Sequence, residues 1–149
     1  MVKNFLHWDE ARYIALLGRQ LFSVIFIIAS AGHFTPGTMA LAAAHGVPQA
    51  PLLVPLSGVI ALTGGLSVLF GYRARIGGAL LVAFLVPVTF MMHNFWAAPD
   101  AATFRLELAL FLRNIVLLGC ALLVTRVGAG SLSLDAAMEA DAIEADSAA

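Results

Sequence analysis

Residues 51–70 read PLLVPLSGVIALTGGLSVLF, a run without one charged side chain that is long enough to cross a bilayer. A spanning helix needs about 20 mostly apolar residues. Three further stretches share this character, and the four predicted spans are residues 13–34, 51–70, 76–96 and 104–125. Short segments rich in Gly and Pro separate them, as expected of turns. Because backbone groups in hydrocarbon must bond within their own segment, each span is predicted to be a helix.

The composition supports the same conclusion for the whole chain. Hydrophobic residues make up 61% of the 149 residues and charged residues 11%, with a mean hydropathy of +0.94. A soluble domain of this length needs a larger polar surface. The sequence also has no phosphate-binding glycine motif and no basic patch, so nucleic acid is not expected as a partner. The predicted fold class is an all-α integral membrane protein, a bundle of four transmembrane helices with short loops in a lipid bilayer.

The distribution of Lys and Arg predicts the orientation of this bundle. Residues 35–50 and 97–103 contain neither residue type. The flanks on the other side carry Lys3, Arg12, Arg73, Arg75 and Arg126. Since positive residues concentrate on the cytoplasmic side, both termini are predicted to be cytoplasmic. The transmembrane domain then covers residues 13–126, with a cytoplasmic segment at residues 1–12 and an acidic, flexible cytoplasmic tail at residues 127–149.

The first span also resembles a secretory signal. Ala29-Ser30-Ala31 has the small residues of a cleavage site after an apolar run. Arg19, however, interrupts that run and leaves a short apolar core before it. We therefore expect the segment to be retained as a transmembrane helix.

A stripe of small residues predicts where the helices approach one another most closely. Ser57, Ala61 and Gly65 recur at intervals of four in the second span and lie on one helix face. Helices in lipid associate through close packing, for which small residues are suited. This pattern concerns helix packing and carries no chemistry. The lone Cys120 excludes an intramolecular disulfide.

Ionisable residues inside the spans are the strongest candidates for function, because they are costly in hydrocarbon. Arg19 lies near the inner edge and either extends to the interface or pairs within the protein. Arg113 lies about 13 Å from the outer edge, close to mid-membrane. Glu107 is about 120° away from Arg113 around the helix axis, but it shares a face with Asn114. The charges of the fourth span are therefore expected to find partners on other helices, on a ligand or on another subunit.

The predicted outer ends of the helices bring several polar residues to a similar depth. This set is His33, His93, Asn94, Glu107 and Arg105. Imidazoles and a carboxylate together can relay a proton, bind a quinone carbonyl or ligate a metal. The alternative is that His and Trp side chains sit at the membrane interface because they are amphipathic. The sequence contains no close-spaced metal motif, so no metal site is predicted.

The order of short motifs along the chain is similar to that of a known family. In sequence order these motifs are Ala29-Ser30-Ala31-Gly32-His33-Phe34, Gly46-Val47-Pro48, residues 58–65 (GVIALTGG), residues 71–75 (GYRAR), His93-Asn94-Phe95-Trp96, Arg113-Asn114 and residues 128–135 (GAGSLSLD). Over about residues 13–136 the chain resembles the DoxX family of small four-helix bacterial membrane proteins.

The resemblance implies a multi-pass protein of the bacterial inner membrane with cytoplasmic termini. It also implies a redox setting, since some relatives are small subunits of a thiosulfate:quinone oxidoreductase and others associate with redox-defence proteins. Quinone is the one cofactor it brings into consideration. The chain departs from the family at Ala61, where relatives often carry a glutamate.

Three functions follow as hypotheses. The first is an accessory subunit of a larger respiratory or redox membrane complex, which docks other subunits or copies of itself through Arg19, Arg113 and Asn114 and catalyses nothing alone. The second is a quinone-interacting oxidoreductase subunit that uses the outer His and Glu residues. It requires that His93 is not fully exposed to lipid. The third is an oligomeric carrier of a small solute.

Overall fold

The structure is a computed structural model that describes residues 8–148. Six α-helices run along the chain: α1 (Trp8–Ser30), α2 (Pro36–Ala44), α3 (Ala50–Phe70), α4 (Ala74–Met92), α5 (Ala101–Val127) and α6 (Leu134–Ser147). Two 3-10 turns follow α1 and α4, at Ala31–Phe34 and Phe95–Ala97. No strand occurs between residues 8 and 148. Most of the predicted N-terminal segment, residues 1–7, lies outside the described residues.

Four of these helical stretches are long and apolar enough to cross a membrane. They are Ala11–Phe34, Ala50–Phe70, Ala74–Ala97 and Ala101–Val127. The predicted all-α, four-span fold is therefore confirmed. The third span differs in detail, since the α-helix ends at Met92 and the chain leaves helical geometry at His93 (φ −121°, ψ 52°) before the second 3-10 turn.

The spans pack in an open order rather than as a closed ring. The extensive contacts join α1 to α3, α3 to α4, and α4 to α5. Within residues 8–148, α1 and α5 form no comparable contact. The core between the packed helices contains Phe26 of α1, Ala61 and Val68 of α3, Leu81, Phe84 and Leu85 of α4, and Ala121 of α5. Among the described helices, α1 and α5 therefore pack little against each other, which leaves a gap on that side of the bundle.

Glycines set the closest helix approaches. A methyl group on Gly78 of α4 would lie 2.7 Å from the Thr125 hydroxyl and 3.0 Å from the carbonyl oxygen of Ala121 on α5. One on Gly65 of α3 would lie 3.3 Å from the carbonyl oxygen of Ser23 on α1. These distances show that the backbones approach closely enough for only hydrogen to fit, as small residues permit in membrane bundles.

The two ends of the bundle differ in chemistry. The histidine end carries His33, α2, His93 and the second 3-10 turn. The terminal end carries the start of α1, the α3–α4 turn, and residues 128–135, which form the terminal loop. The terminal loop folds back under the bundle: the Asp135 amide donates to the carbonyl of Gly71 (2.8 Å).

The terminal loop and α6 occupy the place where the sequence predicted a flexible tail. The Asp135 carboxylate accepts from the backbone amides of Arg73 (2.6 Å) and Ala74 (3.0 Å) at the start of α4. Ser133 caps α6 by accepting from the amide of Ala136 (3.2 Å). The start of α4 needs an acceptor because Arg73 has left-handed geometry (φ 48°) and provides no side-chain cap. The contacts of Asp135 join residues 62 and 61 positions apart, which the local sequence pattern does not reveal.

Arg19 is buried at the terminal end, with 7% of its surface exposed. Its guanidinium donates to the backbone carbonyls of Ala129 (2.6 Å) and Leu132 (2.9 Å). Arg19 therefore pairs within the protein, with backbone carbonyls of the chain's own terminal loop.

Candidate functional site

A cavity of about 470 Å³ reaches from the histidine end into the middle of the bundle. Its volume lies within the range of small-molecule sites. Apolar side chains from all four spans make up most of its wall. A few polar groups are added to that wall, and they are Thr38, Ser57, His33, His93, Arg113 and Asn114. An apolar chamber with a small number of polar groups is the usual form of a site for an amphipathic ligand.

His93 and Glu107 form an ion-pair contact at the histidine end of this cavity. The distance from His93 Nδ1 to Glu107 Oε2 is 3.0 Å, and the two side chains are 16% and 19% exposed. An ionised carboxylate only accepts hydrogen bonds, so Nδ1 carries the hydrogen and Nε2 is the nitrogen left for another partner. Since His93 lines the cavity and is mostly covered, the condition that the quinone hypothesis set for it is met.

His33 lines the same cavity from the end of α1. Its Nδ1 lies 3.1 Å from the carbonyl oxygen of Ala29, so this nitrogen also carries the hydrogen. The ring lies edge-on to Phe84, with 5.5 Å between centroids. Gly58 of α3 makes this position available, because a methyl group there would lie 2.6 Å from the His33 Cβ. Both histidines are therefore oriented by Nδ1, one by a backbone carbonyl and the other by a carboxylate.

Arg113 and Asn114 line the cavity from α5, six and seven residues beyond Glu107. Asn114 is buried, at 3% exposure. Its Oδ1 lies 3.4 Å and 3.3 Å from Arg113 Nε and Nη2, so these are long hydrogen bonds. No Asp or Glu of the described residues comes within 4 Å of the Arg113 guanidinium. Most of its hydrogen-bonding capacity therefore remains available inside the span.

The remaining predicted residues lie elsewhere. Asn94 precedes the second 3-10 turn without a side-chain cap bond, and Arg105 is exposed on α5. Neither lines the cavity. In the part of the chain that the structure describes, no group of three or more His, Cys, Asp or Glu residues could hold a metal.

The residues of the small-residue stripe on α3 have different surroundings. Ala61 is fully buried in the core, and Gly65 faces α1. Ser57 lines the cavity and donates to the Val54 carbonyl (2.7 Å). The stripe thus contributes both to packing and to the cavity wall.

Sequence reasoning missed part of the wall. Pro87 and Ala83 of α4 line the cavity, although neither was among the predicted site residues. Proline has no backbone N–H, so Pro87 cannot donate to the Ala83 carbonyl. Thr38 of α2 was also missed. Its position could have been inferred only from the packing of α2 against the start of α3, which the sequence pattern does not reveal.

A second cavity, of about 700 Å³, lies at the terminal end. Arg73 and Arg75 on its wall are matched by Asp135 and Glu139. Its charges therefore balance within the chain, and Asp135 is already bonded to the start of α4. The cavity with His93 and Arg113 is the better candidate for binding a ligand.

The comparisons with known proteins agree with this architecture. The DoxX family model matches residues 14–94. The chain is 30% identical over 122 residues to inner membrane protein YqjF of Escherichia coli (strain K12), a match that covers 80% of this chain and 88% of YqjF. No solved structure matches the chain. A family match over more than half of the chain and a relative aligned over most of its length give one conclusion: this membrane protein belongs to the DoxX family.

Proposed function

We propose that this protein is the quinone-binding subunit of a redox complex in the bacterial inner membrane. One observation carries the proposal: His93 lines an apolar cavity while its Nδ1 is fixed by Glu107 at 3.0 Å. A quinone has an apolar body with carbonyl oxygens that accept hydrogen bonds, and this matches a largely apolar wall with few donors. The similarity to an inner membrane protein supports the location.

In this proposal, His93 handles the proton at the quinone oxygen. The protonated ring donates from Nε2 to a quinone carbonyl, while Nδ1 stays bonded to Glu107 and the carboxylate balances the charge. Reduction of a quinone to a quinol takes two electrons, which a partner subunit would supply, and two protons. His93 would pass its Nε2 proton to one oxygen, and water at the histidine end would supply the proton of the other oxygen. The neutral ring then keeps its Nδ1 hydrogen on Glu107 and regains a proton at Nε2 from water at the histidine end.

The test is quinone binding by the purified protein in lipid nanodiscs. The probe is a 1,4-benzoquinone with a decyl tail. Its binding is measured by the quenching of the protein's tryptophan fluorescence. His93→Gln is expected to weaken binding about tenfold, the effect of losing about 1.4 kcal/mol. His45→Gln is the matched control, since His45 ends α2 and does not line the cavity. Wild-type protein that does not bind the probe, or binding unchanged by His93→Gln, would overturn the proposal.

A second candidate function is an accessory subunit without a ligand of its own. It is favoured by Arg113, which has no carboxylate within 4 Å among the described residues and could pair with an acidic residue of another subunit or of a second copy. Purification from native membranes in mild detergent, with mass spectrometry of proteins and lipids, separates the two. Recovery of a stoichiometric protein partner without quinone supports the accessory role, and recovery of quinone supports binding.

A further inference from the structure

We propose that the gap between α1 and α5 is a lateral entrance, through which the quinone reaches the cavity from the bilayer and meets Arg113 at mid-membrane. This inference rests on the proposed function and adds two things to it. It assigns the route by which the ligand arrives, and it assigns Arg113 as the residue that binds the second oxygen of the head group.

The gap lies between α1 and α5, which pack little against each other within residues 8–148. Extensive packing joins α1 to α3, α3 to α4 and α4 to α5, whereas α1 and α5 have no comparable contact within residues 8–148. Yet both helices supply wall residues to the cavity, Ala29 from α1 and Leu117 from α5 among them. Ala29 is exposed at the surface of the bundle. The cavity wall therefore includes residues from two helices that pack little against each other in the described part of the chain.

Arg113 is costly inside the span unless its charge has a partner. A charged arginine near the bilayer centre is costly. Such residues normally face a partner or a polar space. Among the described residues, Arg113 has only the long bonds to Asn114, and it lines the cavity. A ligand oxygen in the cavity supplies the acceptor that the described chain does not.

His93 and Arg113 are the two hydrogen-bond donors proposed for the quinone, and both line the cavity. Glu107 fixes His93, and Arg113 lies six residues further along α5, roughly 9 Å along the helix axis. A 1,4-quinone carries its carbonyl oxygens at opposite ends of the ring. The rise from Glu107 to Arg113 is of the same order as a quinone ring with one hydrogen bond at each end. Since His93 and Arg113 both line the cavity, we place one head group between them.

The route is tested by narrowing the gap from α1. Ala29→Phe places a bulky side chain on the cavity wall. Ile28→Phe is the matched control, because Ile28 is the neighbouring residue, 72% exposed and not part of the wall. Stopped-flow quenching with the decyl-benzoquinone in nanodiscs gives the association rate. Ala29→Phe is expected to slow association about tenfold, and Ile28→Phe to leave it unchanged.

The role of Arg113 is tested with the same probe at equilibrium. Arg113→Gln is expected to weaken binding about tenfold and Arg113→Lys to recover part of that loss. Arg126→Gln, at the exposed terminal end of the same helix, is the control. Since Arg113→Gln removes an unpaired charge from the span, a folded protein is expected, and size-exclusion chromatography verifies it.

The outcomes separate this inference from the proposed function. If wild-type protein binds no quinone, both are overturned. If quinone binds and His93→Gln weakens it, but Ala29→Phe and Arg113→Gln behave like their controls, the proposed function stands and the lateral entrance is wrong. If Ala29→Phe instead changes the oligomeric state and leaves quinone association unchanged, the gap is an interface with another protein.

Discussion

His33 and His93 show how the same residue type at the same end of the bundle acquires different roles. In both, Nδ1 carries the hydrogen and Nε2 remains for another partner. The acceptor differs: a backbone carbonyl 3.1 Å away for His33 and the Glu107 carboxylate 3.0 Å away for His93. A carbonyl orients the ring, whereas a carboxylate also balances a positive charge on it. For this reason we assign the proton step to His93 and leave His33 as part of the cavity wall.

Asp100 gives a prediction at the residue scale. Its Oδ1 accepts from the amides of Ala102 (2.8 Å) and Thr103 (2.9 Å), and its Oδ2 from the Thr103 hydroxyl (2.8 Å). The hydrogen bond from the Thr103 amide, then that from its hydroxyl and that from Ala102, lower the pKa of Asp100. A lowered folded-state pKa means that this stabilisation is complete above the ordinary value and is lost as pH falls through the lowered one.

Asp100→Ala is therefore expected to lower the Tm at pH 7, because α5 loses its N-cap. The difference from wild type should narrow at an acidic pH below the lowered pKa of Asp100, where the wild-type carboxylate is protonated too. Thermal denaturation in detergent, followed by circular dichroism, measures both values. Asp100→Asn is the control, since an asparagine also caps helices. A Tm difference of the same size at both pH values would contradict the prediction.

At the scale of elements, the sequence predicted what depends on composition and missed what depends on distant contacts. The four spans were predictable because about 20 apolar residues in a row have few alternatives. The end of α4 at Met92 and the folded terminal loop could not be predicted in this way. The loop is held by Arg19 and Asp135 through bonds to residues 110 and 61 or 62 positions away. Of these features, only α6 had a local sequence signal. Ser133 is an N-cap residue, and an acidic residue follows it in the first turn.

Gly78 gives a prediction about the contact between α4 and α5. Gly78→Ala forces a methyl group against the Thr125 amide (2.9 Å) and the Ala121 carbonyl (3.0 Å), so the helices must separate. Overpacking of this kind costs roughly 1 to 3 kcal/mol, and we expect a lower Tm. Gly119→Ala on α5 is the matched control, since nothing lies within 4 Å of a methyl group there. Equal Tm values for both variants would show that the close approach is not required.

Arg19 gives a prediction about the terminal loop. Arg19→Met keeps an apolar stem but leaves the Ala129 and Leu132 carbonyls without their donor. Loss of hydrogen bonds to a charged group is expected to cost roughly 2 to 3 kcal/mol. Hydrogen–deuterium exchange of residues 128–136 should accelerate, while α3 should stay protected. Arg105→Met, on the exposed side of α5, controls for loss of a positive charge. Unchanged exchange in the loop would contradict the assigned role of Arg19.

At the scale of the whole molecule, the candidate site was only partly predictable. The sequence singled out Glu107 and Arg113 because ionisable groups in spans are costly, and it grouped His33 and His93 with Glu107 by their predicted depth. It could not tell which of them share a cavity, since that depends on the unpacked side between α1 and α5. Arg105 and Asn94 were grouped with them by depth alone. Depth follows from position along a helix, but the direction in which a side chain faces depends on how the helices pack around it.

The last prediction concerns the orientation of the molecule. Arg73, Arg75 and Arg126 lie at the terminal end, whereas residues 97–103 at the histidine end carry no positive charge. The asymmetry favours a cytoplasmic terminal end. The Glu107–His93 pair would then face the outer side, and the protons of quinone reduction would come from there.

The measurement uses single cysteines in a Cys120→Ala background. Ala97→Cys reports the histidine end and Ser131→Cys the terminal loop, both at exposed positions. A membrane-impermeant maleimide applied to spheroplasts should label Ala97→Cys at once and Ser131→Cys only after lysis. The reverse pattern would place His93 and Glu107 on the cytoplasmic side. Quinone binding would be unaffected, but the protons would then be drawn from the cytoplasm, so the same cavity would no longer take up protons from outside the cell.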